Sequence, residues 1–240
     1  MLDATVLNLG LVPYGEAWEL QRSVADAVSQ GALPDTVLLL EHPPVVTLGR
    51  RTEEGELHIP PGAEVEIVET DRGGKSTYHG PGQLVCYPIF DLTRHGQDVK
   101  KYCRDLEEAL IQTLASFGLD ATRIEGLTGI WLERPTRKIA SIGIHISKWV
   151  TTHGYALNVD LDPAPLTEWI TACGIEDAQF TTIARELGRP VRVDEVRPYA
   201  LNGLVEVFDL DFDELANNAI ANLQPQPAPE RPAQRAAVSK

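Results

Sequence analysis

Residues 72–83 read Arg72-Gly-Gly-Lys-Ser-Thr-Tyr-His-Gly-Pro-Gly-Gln83, and this stretch decides how the rest of the chain is interpreted. Glycine permits positive φ angles and lets other groups approach its N–H donors, so Gly73-Gly74 and Gly80-Pro-Gly82 predict two tight turns. Tyr78 and His79 lie between these turns. A bare Gly-Gly is most often an ordinary connection between strands. The density of functional side chains here favours a binding loop rather than a core element.

A nucleotide-binding P-loop is the first alternative for this stretch, because Gly74-Lys75-Ser76 matches the end of the Walker pattern. That pattern requires another glycine five residues before Gly74, and the residue there is Glu69. The sequence therefore excludes a P-loop.

The stretch resembles, almost residue for residue, the signature Arg-Gly-Gly-x-x-Thr-Tyr-His-Gly-Pro-Gly-Gln of lipoyl(octanoyl) transferases. Enzymes of that family move an octanoyl group from acyl carrier protein onto a lysine of lipoyl domains. Two further blocks agree with the resemblance, namely Arg137-Lys-Ile-Ala-Ser-Ile-Gly-Ile144 with His153-Gly-Tyr-Ala-Leu-Asn158, and Thr171-Ala-Cys-Gly-Ile175. The resemblance covers about residues 36–182 in the family's order, which makes it more specific than any single motif.

The resemblance implies a catalytic pair and an acyl pocket. The pair is Cys173 and Lys138, both present as the family requires. One departure is Ala172, where the family usually has proline, and this change is expected to loosen the loop that aims the cysteine. The implied substrate-binding residues are Arg72, Gly73, Gly74, Lys75, Ser76, Thr77, Tyr78, His79, Ser141, Ile142, Gly143, Gly154, Tyr155 and Ala156.

The chemistry of these residue types suits acyl transfer. A cysteine thiol splits transfer from thioester to amine into two easier steps, and a nearby ammonium raises its thiolate fraction. Lys138 then serves as acid and later as base, although an isolated lysine is more often a solvated surface residue. Backbone N–H groups at 80–82 or 173–174 are candidate oxyanion donors. His79 stays open between donating to that oxyanion, holding Tyr78 and satisfying a buried carbonyl.

Charge bears on the partners. The net charge of −14 makes nucleic acid an improbable partner, because phosphate binding needs concentrated Lys and Arg. The implied partners are acyl carrier protein, the lipoyl domains of 2-oxoacid dehydrogenase complexes and the H protein of glycine cleavage. The first two are acidic, so a local basic mouth is expected to recruit them. Its candidate residues are Arg50, Arg51, Arg72, Lys75, Arg134, Arg137, Lys138 and Lys148.

Composition bounds the class of protein. Of the 240 residues 43% are hydrophobic and 23% charged, without an apolar run of membrane-spanning length or a basic signal region. A cytoplasmic protein without a membrane partner is expected. Residues 1–223 are predicted to be one catalytic domain, and 224–240, rich in proline and alanine, a disordered tail. Neither the six histidines nor the three cysteines show metal-ligand spacing, so no metal site or cofactor is expected.

Hydrophobic periodicity predicts helices and strands in alternation. The class is therefore α+β, and the resemblance implies the fold of biotin and lipoate protein ligases, with a mixed or antiparallel sheet and flanking helices. The predicted helices are 16–30, 98–117 with Gly118 as its C-cap, 195–208 with a break at Pro198, and 213–223. The predicted strands are 36–40, 45–48, 130–132, 139–146, 149–150 and 157–159, the last four segments forming antiparallel neighbours.

Two other functions share these features. An ATP-dependent lipoate or biotin ligase has the same fold but adenylates a free acid and needs no thiol nucleophile. A non-catalytic acyl-carrier-binding module would keep the pocket and lose the chemistry. Retention of both Cys173 and Lys138 favours the transferase over either alternative.

Overall fold

The computed structural model describes residues 1–133, 136–171 and 179–212. Predictions for Arg134, Ala172, Cys173 and the backbone of Gly174 lie outside these described residues. The same holds for the predicted helix 213–223 and the predicted tail 224–240.

The described chain alternates between strands and helices. The helices are α1 (Tyr14–Ser29), α2 (Val99–Ala115), α3 (Ala164–Glu168), α4 (Ile183–Leu187) and α5 (Val193–Phe208). The strands are β1 (Leu2–Leu11), β2 (Asp35–Glu41), β3 (Val45–Leu48), β4 (Glu66–Glu69), β5 (Thr77–His79), β6 (Gln83–Ile89), β7 (Ala121–Ile124), β8 (Leu127–Leu132), β9 (Arg137–Ser147), β10 (Val150–Asn158), β11 (Gln179–Phe180) and β12 (Leu210–Phe212). None of the helices within the described ranges combines the length and the apolar character needed to cross a membrane.

Two sheets organise the described residues. The large one runs β12-β1-β2-β6-β10-β9-β8-β7, with β11 added beside β9, and the small one runs β4-β3-β5. Pairing is antiparallel from β2 across to β7 and parallel at β12-β1-β2, so the large sheet is mixed. This arrangement confirms the predicted α+β class.

Opposite faces of the large sheet carry different helices, because successive side chains of a strand point to opposite faces. In β2, Val37 and Leu39 pack with α2 and α5, whereas Leu38 and Leu40 pack with α1. A third cluster, which includes Tyr78, joins the small sheet to α3. The sheet is therefore sandwiched between helices, as the alternating apolar pattern requires.

Two local predictions need correction. Helix α2 begins after Asp98, whose carboxylate accepts from the N–H groups of residues 100 and 101, but it ends at Ala115, before the predicted Phe117. Gly118 terminates the helix as predicted: it has a φ of 74°, and the N–H groups of Gly118 and Leu119 donate to the carbonyls of Ala115 and Leu114 at 2.9 and 3.1 Å. Helix α5 continues through Pro198 without a break: the proline lacks one backbone donor, but Val196 and Ala200 on either side of it pack into the core and hold the helix together.

The segment 72–83 also differs from the predicted loop. Residues 77–79 form β5 and Gln83 begins β6, whereas residues 72–76 and 80–82 are bends, turns and irregular backbone. Arg72, Tyr78 and His79 are all more than nine-tenths buried. The segment is thus partly a core element, and its functional side chains are held by packing.

Candidate functional site

A cleft of about 800 Å³ opens between the two sheets, within the range typical of small-molecule sites. Every predicted substrate-binding residue except Tyr78 lines it, and so does Lys138. Cys173 lies outside the described residues. Tyr78 departs because alternation in β5 turns Thr77 and His79 toward the cleft and Tyr78 into the cluster with Trp169.

Arg72 holds one wall of the cleft together. Its Nη2 donates to the Thr47 carbonyl and hydroxyl at 2.6 and 2.8 Å, and its Nε donates to the same hydroxyl at 3.2 Å. Its Nη1 donates to the carbonyls of Gly73 and Lys75 at 3.1 and 2.7 Å. Gly73 in turn donates its N–H to the Ile144 carbonyl at 2.8 Å. The guanidinium therefore acts as a strut that folds the glycine loop between β3 and β9.

The facing wall is the paired segment of β9 and β10. Gly143 and Gly154 are Cα partners, and Ser141 pairs with Ala156. A Cβ at Gly154 would fall against the Cys86 carbonyl and 2.5 Å from Pro88 Cδ. Gly154 is therefore required for close packing of β10 on β6, which leaves a smooth backbone surface at the cleft.

Lys138 enters the cleft from β9, where its side chain is almost fully buried. Its ammonium lies 5.2 Å from the ring centroid of Trp131 on β8. Gly129, which the sequence analysis did not single out, lies directly beside the lysine, because a Cβ there would sit 2.7 Å from Lys138 Cε. A glycine within a strand pattern signals such a close approach and was the available clue.

Ile170 and Phe180, which lie close in sequence to residues 172–178, both line this part of the cleft. Ile170 lines the cleft, and Thr171 donates its N–H to the Glu56 carbonyl at 2.9 Å. Phe180 also lines the cleft and is the Cα partner of Lys138 in β11. Described residues on both sides of segment 172–178 therefore lie at the cleft, and one of them, Phe180, lies beside Lys138.

Three buried imidazoles cluster with tyrosines where α1 meets the cleft. His42 Nδ1 donates to the Val12 carbonyl at 2.6 Å, and the Tyr87 hydroxyl donates to His42 Nε2 at 2.7 Å. The His79 and His42 rings meet edge to face at 5.6 Å. Burial lowers the pKa of His42 to about 4, so the ring is neutral at physiological pH.

The third imidazole, His153, lies in β10 with a φ of 57°, an unusual backbone for a strand residue. Its Nε2 donates to Asp71 at 2.7 Å, and its Nδ1 lies 3.3 Å from the Tyr14 hydroxyl. Burial lowers the pKa of His153, although Asp71 opposes that effect. The hydrogen bond from His153 lowers the pKa of Asp71, so the pair is a neutral imidazole beside a carboxylate.

The hydrogen-bond partners of His79 bear on the three roles that the sequence left open for it. Gln83 Nε2 donates to Asn158 Oδ1 at 3.0 Å, which leaves Gln83 Oε1 to accept from His79 Nδ1 at 2.7 Å. Burial, reinforced by the neighbouring His42, lowers the pKa of His79 well below its ordinary value. A neutral ring with its proton on Nδ1 has an acceptor at Nε2. This arrangement disfavours His79 as a donor to an oxyanion.

We expect acid to destabilise the fold through these imidazoles. The folded-state pKa of His42, about 4, lies below the ordinary value of 6.5, so its contribution is complete above pH 6.5 and is lost as pH falls toward 4. For His42 alone the free energy of unfolding should fall by about 2 kcal/mol between pH 7.5 and pH 5. Urea unfolding at both values measures it.

The variant His42→Asn keeps a polar side chain without a titratable group and should remove the His42 share of this pH dependence, leaving the share from His79 and His153. An unfolding free energy in the parent chain that stays constant from pH 7.5 to pH 5 would contradict the assignment of a neutral buried imidazole.

The predicted basic mouth is smaller than the sequence suggested. Lys75 is ion-paired with Glu56 and lies 3.5 Å from Glu53. Arg137 pairs with Glu186 at 2.7 Å, while Arg72 and Lys138 are buried. Arg50 and Arg51 are exposed and line the cleft. Lys148 is exposed at the turn between β9 and β10. Within the described chain, the mouth therefore rests mainly on Arg50 and Arg51.

Comparison with known proteins places this cleft in a family. Residues 13–205 match the model of the lipoyl protein ligase A/B catalytic domain. A protein of Mycobacterium tuberculosis named octanoyltransferase is 52% identical over 213 residues, covering 85% of this chain and 90% of the relative. Another with the same name, from Chloroflexus aggregans, is 46% identical over 216 residues, covering 88% and 97%.

Among solved structures, the bipartite lipoate protein ligase of Thermoplasma acidophilum, described with its E2 lipoyl domain, has a TM-score of 0.70. The match covers 93% of this chain and 92% of that chain at 19% identity, so it supports the fold alone. Together with the identities above, the predicted resemblance is confirmed. The chain belongs to the lipoyl protein ligase A/B catalytic domain family and, within it, to the octanoyltransferases.

Proposed function

We propose that the chain transfers an octanoyl group from acyl carrier protein to a lysine of a lipoyl domain, the first step of protein lipoylation, with Cys173 carrying the acyl group between them. The observation that carries this proposal is the buried Lys138 at the cleft, beside the point where the chain returns from the segment containing Cys173. The names of the relatives support the octanoyl substrate.

The reaction would proceed in two balanced steps. The Cys173 thiolate attacks the thioester carbonyl, the bond between that carbon and the donor sulfur breaks, and the departing sulfur takes a proton from Lys138. The acceptor ammonium first gives one proton to solvent water, and the resulting neutral amine attacks the enzyme thioester while Lys138, now neutral, takes a second proton from the attacking nitrogen. A C–N bond forms, the C–S bond breaks and Cys173 leaves as a thiolate. Lys138 ends protonated, as it began.

The cleft suits an acyl chain as well as a reacting carbonyl. Val85, Ile142 and Ala156 contribute apolar lining, and the backbone at Gly143 and Gly154 leaves room between them. Each buried methylene stabilises a bound chain by about 0.8 kcal/mol. An octanoyl chain would therefore gain several kcal/mol from this wall, which supports recognition by length and polarity.

The exposed charges support a protein-bound donor. Arg50 and Arg51 lie at the cleft and anchor through their N–H groups to the Arg72 and Gly74 carbonyls at 3.1 and 3.0 Å. The backbone of both arginines is therefore held in place, and their side chains are positively charged on a chain whose net charge is −14. We infer that acyl carrier protein, and then lipoyl domains such as those of 2-oxoacid dehydrogenase complexes and the H protein, approach this local patch. One catalytic domain, residues 1–223, would serve both partners.

We expect octanoyl carrier protein to load one acyl group on Cys173. The other two thiols are poor nucleophiles, because burial raises the pKa of Cys86 to about 12 and also raises the pKa of Cys103. Intact mass spectrometry of the full chain after mixing should show one octanoyl adduct, which hydroxylamine removes. Tandem mass spectrometry should locate it on Cys173.

The matched variant is Cys173→Ser, which should unfold at the same temperature but form no thioester. Omitting ATP throughout separates the transferase from a ligase, because a ligase would load nothing without it. An adduct on Cys86 or Cys103, or turnover by Cys173→Ser at the parent rate, would refute the acyl-enzyme.

A further inference from the structure

Strand β8 contains a slot that fits the end of the Lys138 side chain. Gly129 has a φ of 118°, and a Cβ there would lie 2.7 Å from Lys138 Cε, 3.2 Å from its Nζ and 2.6 Å from the Ala140 carbonyl oxygen. Real Cβ atoms do not approach so closely. The absent side chain of Gly129 is therefore the space that the lysine occupies.

An irregularity in the pairing of β8 and β9 sets which residue faces the lysine. Ile130 pairs with Ala140, so a regular ladder would pair Trp131 with Ile139. Instead Trp131 pairs with Lys138, and Ile139 is the extra residue of a bulge. Bulges re-aim side chains, and directly paired residues have neighbouring Cβ atoms. The bulge thus brings the lysine opposite an indole rather than opposite Leu132.

Trp131 presents the face of its indole ring to the Lys138 ammonium. Its ring centroid lies 5.2 Å from the Lys138 ammonium, within the range of a cation–π contact, and both side chains are at least 98% buried. The indole Nε1 has no hydrogen-bond partner among the described residues. A buried unpaired N–H opposes folding, so a tryptophan kept solely as apolar filling would be a poor choice here.

We propose that Gly129 and Trp131 are positioning residues that direct the Lys138 ammonium into the cleft, Gly129 by leaving the slot and Trp131 by holding the cation over its ring. The inference rests on the proposed function, because it assigns a purpose to the orientation of the proton-carrying lysine. Proton transfer requires the nitrogen within hydrogen-bond reach of the reacting atom. A lysine side chain is flexible, and the slot restricts it to one direction.

Gly129→Ala tests the slot. The added methyl group should displace the ammonium and lower the single-turnover rate of acyl-enzyme formation by about 100-fold, the scale of a 1 Å misplacement. The matched control is Gly118→Ala, because Gly118 also has a positive φ, 74°, but nothing within 4 Å of its Cβ position. The control carries a milder positive-φ strain without the contact to a neighbouring side chain, and it should keep the parent rate.

Trp131→Phe and Trp131→Leu test the ring, and they also decide the matter if Gly129→Ala fails to fold. Phenylalanine keeps an aromatic face, so its rate should stay within about threefold of the parent, whereas leucine should lose about tenfold. The pH–rate profile of the leucine variant should also shift toward lower pH, because the protonated amine loses its ring. A merely structural role would lower thermal stability without moving this profile.

Two results distinguish the positioning role of Gly129 and Trp131 from the proposed function on which it rests. If Lys138→Ala lowers the rate while Gly129→Ala and Trp131→Leu keep the parent rate and profile, the positioning role is wrong and the proposed function stands. If Lys138→Ala itself keeps the parent rate, the proton shuttle fails and the positioning role fails with it.

Discussion

Lys138→Ala is expected to lower the rate of octanoyl transfer by about 100-fold to 10,000-fold, the range for loss of a general acid or base. The expectation follows from the burial of Lys138 at the cleft and from its pairing with Phe180, beside the return of the chain from residues 172–178. Both half-reactions need the same proton, so both should slow. Single-turnover acylation and single-turnover transfer to a lipoyl domain measure them separately.

Lys138→Arg should not restore activity, because a guanidinium stays protonated and cannot act as a base. Lys100→Ala, at an exposed lysine in the first turn of α2, is the control and should leave both rates unchanged. Near-normal turnover in the arginine variant would rule out the proton shuttle and reduce Lys138 to a fixed positive charge.

Arg72→Lys is expected to slow acylation strongly and to lower the free energy of unfolding by about 3 kcal/mol, because each buried acceptor left unsatisfied costs about 1–3 kcal/mol. The guanidinium donates to the carbonyls of both Thr47 and Lys75. An ammonium cannot reproduce the fork that reaches both at once. The loss of rate should be equal for octanoyl carrier protein and for a small octanoyl thioester, since the loop serves both.

Comparing octanoyl carrier protein with a small octanoyl thioester as acyl donors shows whether Arg72 acts through the loop or through the carrier protein. A loss confined to carrier protein would mean that Arg72 contacts that protein directly, as a member of the predicted basic mouth. Arg189→Ala, at an exposed arginine far along the chain, provides the stability baseline. In urea unfolding at neutral pH, the free energy of unfolding of Arg72→Lys should lie about 3 kcal/mol below that of Arg189→Ala.

Local patterns predicted much of the fold. The apolar stripe of α2 and the tight apolar runs of β2 and β3 carry their own periodicity, so their positions came close to the structure. Strands β1 and β12 were not predicted. They become strands through long-range parallel pairing, β12 with β1 and β1 with β2, which no local pattern shows. The predicted break in α5 at Pro198 was wrong, because proline breaks an isolated helix but is tolerated where packing supports the rest of the helix.

The site divides in the same way between local and distant contributions. The glycine loop and the paired glycines of β9 and β10 were visible because they are written as contiguous motifs. The imidazole cluster was not, because Tyr14, His42 and His153 meet only after folding. Gly129 had a signal in the sequence, a glycine inside a strand pattern, but its purpose depends on the bulge opposite.

The backbone walls of the cleft bear on how such a site can diverge. At Gly154, which lines the cleft, even one added methyl group meets main-chain atoms of a neighbouring strand, so substitution there strains the sheet before it alters the cavity. The same is true of Gly129, beside Lys138. On the proposed function, new acyl preferences are therefore more accessible to natural selection through side chains that line the cleft, such as Val85 and Ile142, than through Gly154. The same difference would guide an inhibitor of the proposed reaction. A resistant variant could not easily remove contacts with the backbone at Gly154, whereas a single tolerated exchange could remove contacts with Val85 or Ile142.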